Sequence, residues 1–535
     1  MAIYSEMQAM KKSFVIHPLL FAIHPILFIY QRNMGQVNAS QLVMPIVATT
    51  VLAAVLLAVT WPIFRNLKKA ALAASLFIIL FFSYRYLSTW LSIERLFQLK
   101  MLPLPRNLLS LFVCFVAPLA VGSWLIHLGC RWLNNLTVLL NVTSLVLLVF
   151  LITIITSHAI RTTATVTPLP TDHSTEPSPP TASASVDAPD IYYLILDGYG
   201  GAGTLKDIYD YSNRPFVDAL RDRGFYVVEN GYSNYDFTTK SLSSSLNLDY
   251  VPGTVEQLKD QRARNLKYRQ LVANNRVLQF FKSRGYTYVQ IITTGNLTAN
   301  NPYADKVLGK AMFDDFFLAV LQTTLIEKSG TILSAVAKRK AVLSAFDDLA
   351  SVPQMDGPIF AFAHLMSPHP PYAFRSSGEP YSYFQILLQE AVKRKEVYVE
   401  EVKALNQQLL SFVDTVLANS RVPPIIILQG DHGPRPFWRG DSGADDPSQN
   451  REQINETLQI LNAYYLPDDG QSALRPSMTP VNTFRAIINQ YFGGTYELLD
   501  DRSYLTTPSG LVDVTDMTSL SAASPQTRDR NTGGK

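Results

Sequence analysis

Cysteine is nearly absent from this chain. There are two in 535 residues, Cys114 and Cys130, and both fall in its apolar first third. The remainder therefore has no disulfide, no thiolate metal site and no cysteine nucleophile. Charge of one sign is lacking too: the net charge is only +3, and nothing calls for a nucleic-acid partner. Histidine is sparse and stops early, with none after His432. His17, His24, His127, His158 and His173 lie in or beside the apolar third or its linker. None of these five has a partner at ligand spacing except His17 and His24, which share one apolar stretch, and all read as structural. No internal repeat is visible.

What is abundant is apolar sequence, unevenly spread. A spanning helix takes about 20 mostly apolar residues. Five stretches qualify: Phe14–Tyr30, Leu42–Phe64, Ala70–Leu91, Leu108–Leu128 and Leu136–Thr156. The first is short, but Gln31-Arg32-Asn33 follows it where a cleaved leader would carry small residues, so it reads as a retained span. Lys11, Lys12, Arg65, Lys68, Lys69 and Arg131 fall on one side of the five and are taken as cytoplasmic. An N-inside start and five spans put the C-terminus outside. The loop Arg85–Arg106 mixes Trp90, Ile93 and Phe97 with charges, and reads equally as an interfacial segment or a plain loop. Few ionisable residues lie within the spans, which counts against a coupled transport path.

Residues 161–188 are rich in Thr, Pro, Ser and Ala and read as a tether between a transmembrane domain, 1–160, and a folded domain, 189–510. Residues 511–535 are expected to form a disordered tail. Within the folded domain, Ile191–Leu196, Tyr286–Ile292, Ile359–Leu365 and Ile425–Leu428 are near-continuous apolar runs, as expected of strands covered on both faces. Helical patterns separate them at Arg214–Arg223, Arg276–Arg284, Val336–Leu349, Val392–Leu417 and Pro480–Tyr491. The alternation predicts an α/β sandwich with a largely parallel sheet.

Ligands gather at the carboxyl ends of such strands. Two strands end there in Asp197-Gly198 and Asp431-His432-Gly433. Together these give oxygen and nitrogen donors suited to zinc or manganese, although Asp-Gly after a strand also serves as a plain turn. Thr238 and Thr239 begin a helical stretch, where a hydroxyl either caps the helix or stands as an oxygen nucleophile beside an anion held at the helix start. A fourth element, His364-x4-His369-Pro-Pro-Tyr372, follows another predicted strand. Its histidines are either structural or directed at a ligand.

Asp-Gly, a Thr-headed helix, His-x4-His and Asp-His-Gly, in that order, resemble the alkaline phosphatase superfamily. The resemblance is to its sulfatase-like membrane branch, with enzymes of the lipoteichoic acid synthase and phosphoethanolamine transferase types. Arg214 to Val227 also resembles the family's segment between first metal ligand and nucleophile. The likeness covers residues 189–504. It implies one divalent metal on Asp197, Asp431 and His432. It implies Thr238 as nucleophile, with Thr239 as rival, because Thr238-x-x-Ser241-x-Ser243 fits the family's helix. His364 and His369 would contact the substrate phosphate or a second metal. Lys240 and Arg435, cations near these motifs in sequence, are further candidates to bind the anion.

Three departures stand out. Asp197 replaces the glutamate usual in the transferases. The usual later histidine is missing, which leaves a second metal in doubt. No Cys-x-Pro-Ser-Arg or Ser-x-Pro-Ser-Arg is present, so sulfate ester hydrolysis through formylglycine is not expected. The implied activity is metal-dependent transfer or hydrolysis of a phospho-group outside the cytoplasm. A membrane phospholipid is the expected donor, and an envelope glycan or lipid the acceptor. A non-catalytic envelope assembly or binding protein on the same fold is the alternative.

Overall fold

The protein is described from a computed structural model that covers residues 14–34, 37–90, 110–129, 133–165, 188–293, 298, 301–309, 313–382, 385–386, 394–434, 450–507 and 510–519. Most of the expected tether, the 520–535 part of the expected tail, and much of the loop from Arg85 to Arg106 lie outside these residues. The chain divides into two compact units. The first holds the N-terminal apolar helices together with Phe313–Leu333, and the second holds the rest of the folded region.

Among the described residues of the first unit, three helical stretches are long and apolar enough to cross a membrane: Ala39–Phe64, Leu67–Thr89 and Asn135–Ile160. The other two expected spans are shorter. One is the helix His17–Arg32 of 16 residues, about 24 Å long against a hydrocarbon core of about 30 Å. The other is the apolar helix Phe112–His127. The helix Val43–Phe64 exposes Val47, Val51, Val55 and Trp61, as a helix apolar on all sides does when lipid is its solvent. The start of His17–Arg32 has no cap of its own. Asn141, from the helix Leu133–Thr165, supplies one: its Oδ1 accepts the Ile16 and His17 N–H groups at 3.2 and 3.0 Å. In apolar surroundings those donors have no water to turn to. Ile26, Ile78, Cys114 and Phe115 form the unit's core, and Phe316 and Val320 of the inserted segment pack into it.

The second unit is built on a seven-stranded sheet in the order β2-β7-β6-β1-β5-β3-β4. The strands are β1 (Ile191–Leu196), β2 (Tyr226–Val227), β3 (Thr287–Ile291), β4 (Lys306–Leu308), β5 (Ile359–Leu365), β6 (Ile425–Gly430) and β7 (Asn462–Tyr465). β1, β3, β4, β5 and β6 run parallel, and β7 is antiparallel to both β6 and β2. The four strands expected from sequence are the buried centre, β6-β1-β5-β3. Every residue of β1, β5 and β6 is buried, which is why their sequences are apolar without alternation.

The expected helices appear as Arg214–Asp222, Arg276–Ser283, Glu327–Ala350, Arg394–Asn419 and Thr483–Phe492. The third begins well ahead of its apolar pattern. Asp190 ties the lower edge of the sheet: its Oδ1 accepts the Ile359 N–H at 2.8 Å and its carbonyl accepts the Ile425 N–H at 2.8 Å. Beyond the sheet, β8 (Tyr504–Thr507) and β9 (Gly510–Asp513) form a hairpin, and a short helix, Thr515–Ser519, follows. Residues 511–519 are therefore ordered where a disordered tail was expected, because Val514 is buried against Leu505 and Tyr232. Tyr235, just before the Thr238 helix, bridges to Tyr504.

Candidate metal and nucleophile site

β1 and β6 are neighbours, so the residues that follow them emerge side by side at the carboxyl edge. The Gly198 N–H donates to Asp431 Oδ1 at 3.1 Å and locks the two turns together. Gly198 has φ +75°, a conformation other residues adopt at a cost. Tyr398 braces the same turn: its hydroxyl accepts the Gly200 N–H at 2.9 Å and donates to the Gly198 carbonyl at 3.0 Å. On the β6 side, a Cβ on Gly433 would stand 2.2 Å from the Glu456 carbonyl oxygen, so this position takes only glycine without a backbone shift.

Asp197, Asp431 and His432 each direct a donor atom into one place, all within 4.8 Å of one another. His432 Nε2 lies 3.6 Å from Asp197 Oδ1 and 3.4 Å from Asp431 Oδ2. Its Nδ1 is 2.8 Å from the Gly433 carbonyl. A carbonyl only accepts, so Nδ1 carries the proton and Nε2 presents its lone pair to the cluster. Asp197 Oδ1 and Asp431 Oδ2 are buried with no hydrogen-bond partner. Two buried carboxylate oxygens facing an imidazole lone pair cost free energy unless a cation joins them. The donor set therefore fits a divalent ion. Two oxygens and one nitrogen suit zinc or manganese, with room left in the coordination shell.

Thr238 opens the helix Thr238–Ser245 after Phe237 in an extended conformation. Its Oγ1 lies 3.3 Å from His432 Nε2, at the cluster. Thr239 is the next helical residue, turned about 100° away. His364, on β5 beside β1, places Nε2 3.3 Å from Asp197 Oδ2, with its Nδ1 3.1 Å from Thr298 Oγ1. It thus lies against one Asp197 oxygen while His432 lies against the other. His369 sits on the loop after β5. Its Nδ1 donates to the Pro370 carbonyl at 2.7 Å, which leaves Nε2 as the outward end. Burial pushes the Asp197 carboxyl up, but His369, His364 and His432 around it prevail and hold it well below the usual carboxylate range.

Lys240 is oriented differently from what its sequence position suggested. It is buried, and its ammonium pairs with Glu256 Oε2 at 3.3 Å and donates to Thr506 Oγ1 at 3.0 Å. The reason is helical phase. Residues two apart on a helix point about 200° apart, so Lys240 lies across the helix from Thr238. The ammonium therefore joins the helix to β8, and nothing brings it to the cluster. Arg435 lies outside the described residues. Lys338, Glu401 and Tyr398, which no motif marks, touch the turns and loops that carry the candidate residues, and Thr298 touches His364 on β5.

The fold and cluster define a class: a protein with helices long and apolar enough to cross a membrane and an α/β domain able to hold a metal at its strand ends. The family follows directly. The sulfatase family model matches residues 189–483, more than half of the chain, and the chain belongs to that family. No curated protein is significantly similar to it. Among solved structures it is similar to the C-terminal periplasmic domain of EcEptC from Escherichia coli, at 12% identity over 63% of this chain and 96% of that one, with a TM-score of 0.41. It is also similar to the integral membrane lipooligosaccharide phosphoethanolamine transferase A from Neisseria meningitidis, at 12% identity over 91% of this chain and 94% of that one, with a TM-score of 0.37. The phosphonate monoester hydrolase of Agrobacterium radiobacter matches at 12% identity over 59% and 80%, with a TM-score of 0.35.

Proposed function

We propose that the protein is a metal-dependent phospho-group transferase or phosphoester hydrolase that works through Thr238. One observation carries the reading: the Thr238 hydroxyl heads a helix 3.3 Å from His432 Nε2, inside a cluster whose two carboxylates each leave a buried oxygen unpartnered. Asp197, Asp431 and His432 would hold zinc or manganese. When bound, the ion supplies Lewis acidity toward the threonine hydroxyl and the phosphoryl oxygens. No second ion is needed for this reading.

Thr238 Oγ attacks phosphorus in line. The Oγ–P bond forms as the bond to the leaving oxygen breaks, and the hydroxyl proton passes, directly or through water, to that leaving oxygen. Charge on the phosphoryl oxygens falls at the positive end of the Thr238–Ser245 helix. His369 would donate from Nε2 to one of these oxygens with its ring protonated on both nitrogens, because the Nδ1–H is already given to the Pro370 carbonyl. His364 holds the Asp197 carboxylate in place rather than touching substrate. The acceptor, water or a hydroxyl, then displaces Thr238 by the reverse chemistry. In this reading the N-terminus is cytoplasmic, the five apolar stretches all span, and the α/β domain works outside the cytoplasm on a phospholipid head group, passing it to an envelope glycan or lipid. Mass spectrometry of the protein after incubation with phosphatidylethanolamine or phosphatidylglycerol tests the central step. A phospho-adduct on the peptide carrying Thr238 is expected. An adduct confined to Thr239 moves the role there, and none with any phospholipid in metal-loaded protein removes the covalent mechanism.

A further inference from the structure

The loop carrying His369 is fastened by a buried ion pair outside the metal cluster. Lys338 lies on the helix Glu327–Ala350 and Glu401 on the helix Arg394–Asn419. Their side chains are 3% and 0% exposed, with Nζ 2.6 Å from Oε1. Glu401 accepts two donors on each oxygen. Oε1 takes Lys338 Nζ and the Ser367 hydroxyl at 2.8 Å, and Oε2 takes the Ala373 and Phe374 N–H groups, each at 2.7 Å. Lys338 also donates to the His369 carbonyl at 2.6 Å. The loop is therefore tied before His369, at His369 itself and after it. The ring is tied in turn to the loop's own backbone, because Nδ1 donates to the Pro370 carbonyl. Few freedoms remain to the Nε2 end. A buried pair of charges is a poor way to gain stability, since apolar residues of similar size hold two helices as well or better. What a doubly bonded carboxylate supplies is placement of the groups around it.

We propose that Lys338 and Glu401 are positioning residues that set the loop 367–374 so that His369 Nε2 meets the phosphoryl group. The inference rests on the functional reading above. It differs from that reading in assigning roles to two residues that touch neither metal nor substrate. Their effect is transmitted through His369.

The test uses the full-length chain in detergent, loaded with zinc, with inorganic phosphate as the probe in calorimetric titrations. Lys338→Met is expected to weaken phosphate binding roughly 10–100-fold, the range typical of supporting partners around a site, while zinc stoichiometry stays unchanged. Lys338→Arg should recover most of the loss. His369→Ala should weaken binding to a similar degree, and adding Lys338→Met to it should cost no more than about twofold, because residues acting through one another are not additive. Multiplying losses, or a zinc-loaded Lys338→Met that binds phosphate like wild type, overturn the proposal.

Glu401→Gln supplies a second arm that does not depend on phosphate. It weakens charge-assisted bonds, so hydrogen exchange at the Ala373 and Phe374 amides should quicken roughly tenfold. Unchanged exchange there overturns the clamp. Should Lys338→Met not fold, the paired Lys338→Met/Glu401→Gln removes both charges together and is judged by the same two readings. Wild-type protein that holds zinc and ignores phosphate would sink the functional reading alone, leaving the exchange result to decide the clamp.

Discussion

Replacing Asp431 with Asn separates a metal site from an ordinary buried carboxylate, because the two predict stability changes of opposite sign. Asn retains an oxygen where Oδ1 accepts the Gly198 N–H at 3.1 Å, so the link between the β1 and β6 turns survives. What disappears is one negative charge. The donor atoms of Asp197, Asp431 and His432 lie within 4.8 Å of one another. At that separation two unit charges repel by roughly 3 kcal/mol at an effective dielectric of about 20. His364 Nε2, 3.3 Å from Asp197 Oδ2, offsets part of this. The metal-free variant should therefore be more stable than metal-free wild type by about 1–2 kcal/mol, the usual range for relieving a functional site.

Wild type should gain more when zinc is added. At a free concentration about 100 times the dissociation constant, binding contributes about 2.7 kcal/mol, or roughly 5–8 °C in a domain of this kind. The variant should lose that response. Thermal melting of the full chain in detergent, with chelator and then with zinc or manganese, reads both effects. A chelated Asp431→Asn that melts well below chelated wild type would mean that the protein alone satisfies the carboxylate. The cation site would then have to be abandoned.

Thr238→Ala should lower phospho-group transfer by at least about 10²–10³ with metal content intact, and Thr239→Ala, turned about 100° away, should cost far less. An active, metal-loaded Thr238→Ala would exclude that residue as nucleophile. Asp190 supplies a pH test. Burial lifts its carboxyl from 3.8 to about 6 despite the Ile359 N–H bond, so the folded chain holds this proton more tightly than the unfolded one. Stability from this group therefore rises as pH falls from about 6 to about 4 and is absent above that window. Asp190→Asn should stabilise the protein by about 3 kcal/mol at pH 7 and by almost nothing near pH 4; an equal effect at both pH values would refute the assignment. For topology, a reporter enzyme active only outside the cytoplasm, fused after Lys535, should be active. An inactive but well-expressed fusion would reverse the orientation.

How much of this was legible in the sequence depended on how local each cause is. β1, β5 and β6 were readable because strands covered on both faces must be apolar throughout. β2 has two residues, and β4 is largely exposed, so neither bears a periodic mark. β7 is buried, but Asn462-Ala-Tyr-Tyr465 contains an Asn and is short. Asp197, Asp431 and His432 were visible because a strand end followed by glycine is a local feature, and the parallel pairing of β1 with β6 does the rest.

Lys240 is two residues from Thr238 along the chain, but helical phase, and not that distance, decides where its ammonium goes. Lys338 and Glu401 hide inside Lys338-Arg339-Lys340 and Glu400-Glu401, which read as solvated helix surface. Yet each sits on its helix's apolar stripe. Lys338 leads to the buried Ala341, Val342, Ala345 and Leu349, while Glu401 stands among the buried Tyr398, Val402, Leu405 and Leu409. A charge placed at stripe spacing must be buried with the stripe, and it must then find a partner of opposite sign. Two helices that each carry one such charge on the core face are constrained to bring those charges together. That signal was present in the spacing alone. What the spacing lacked was the loop between them, because only the fold places Ser367, His369, Ala373 and Phe374 around the pair.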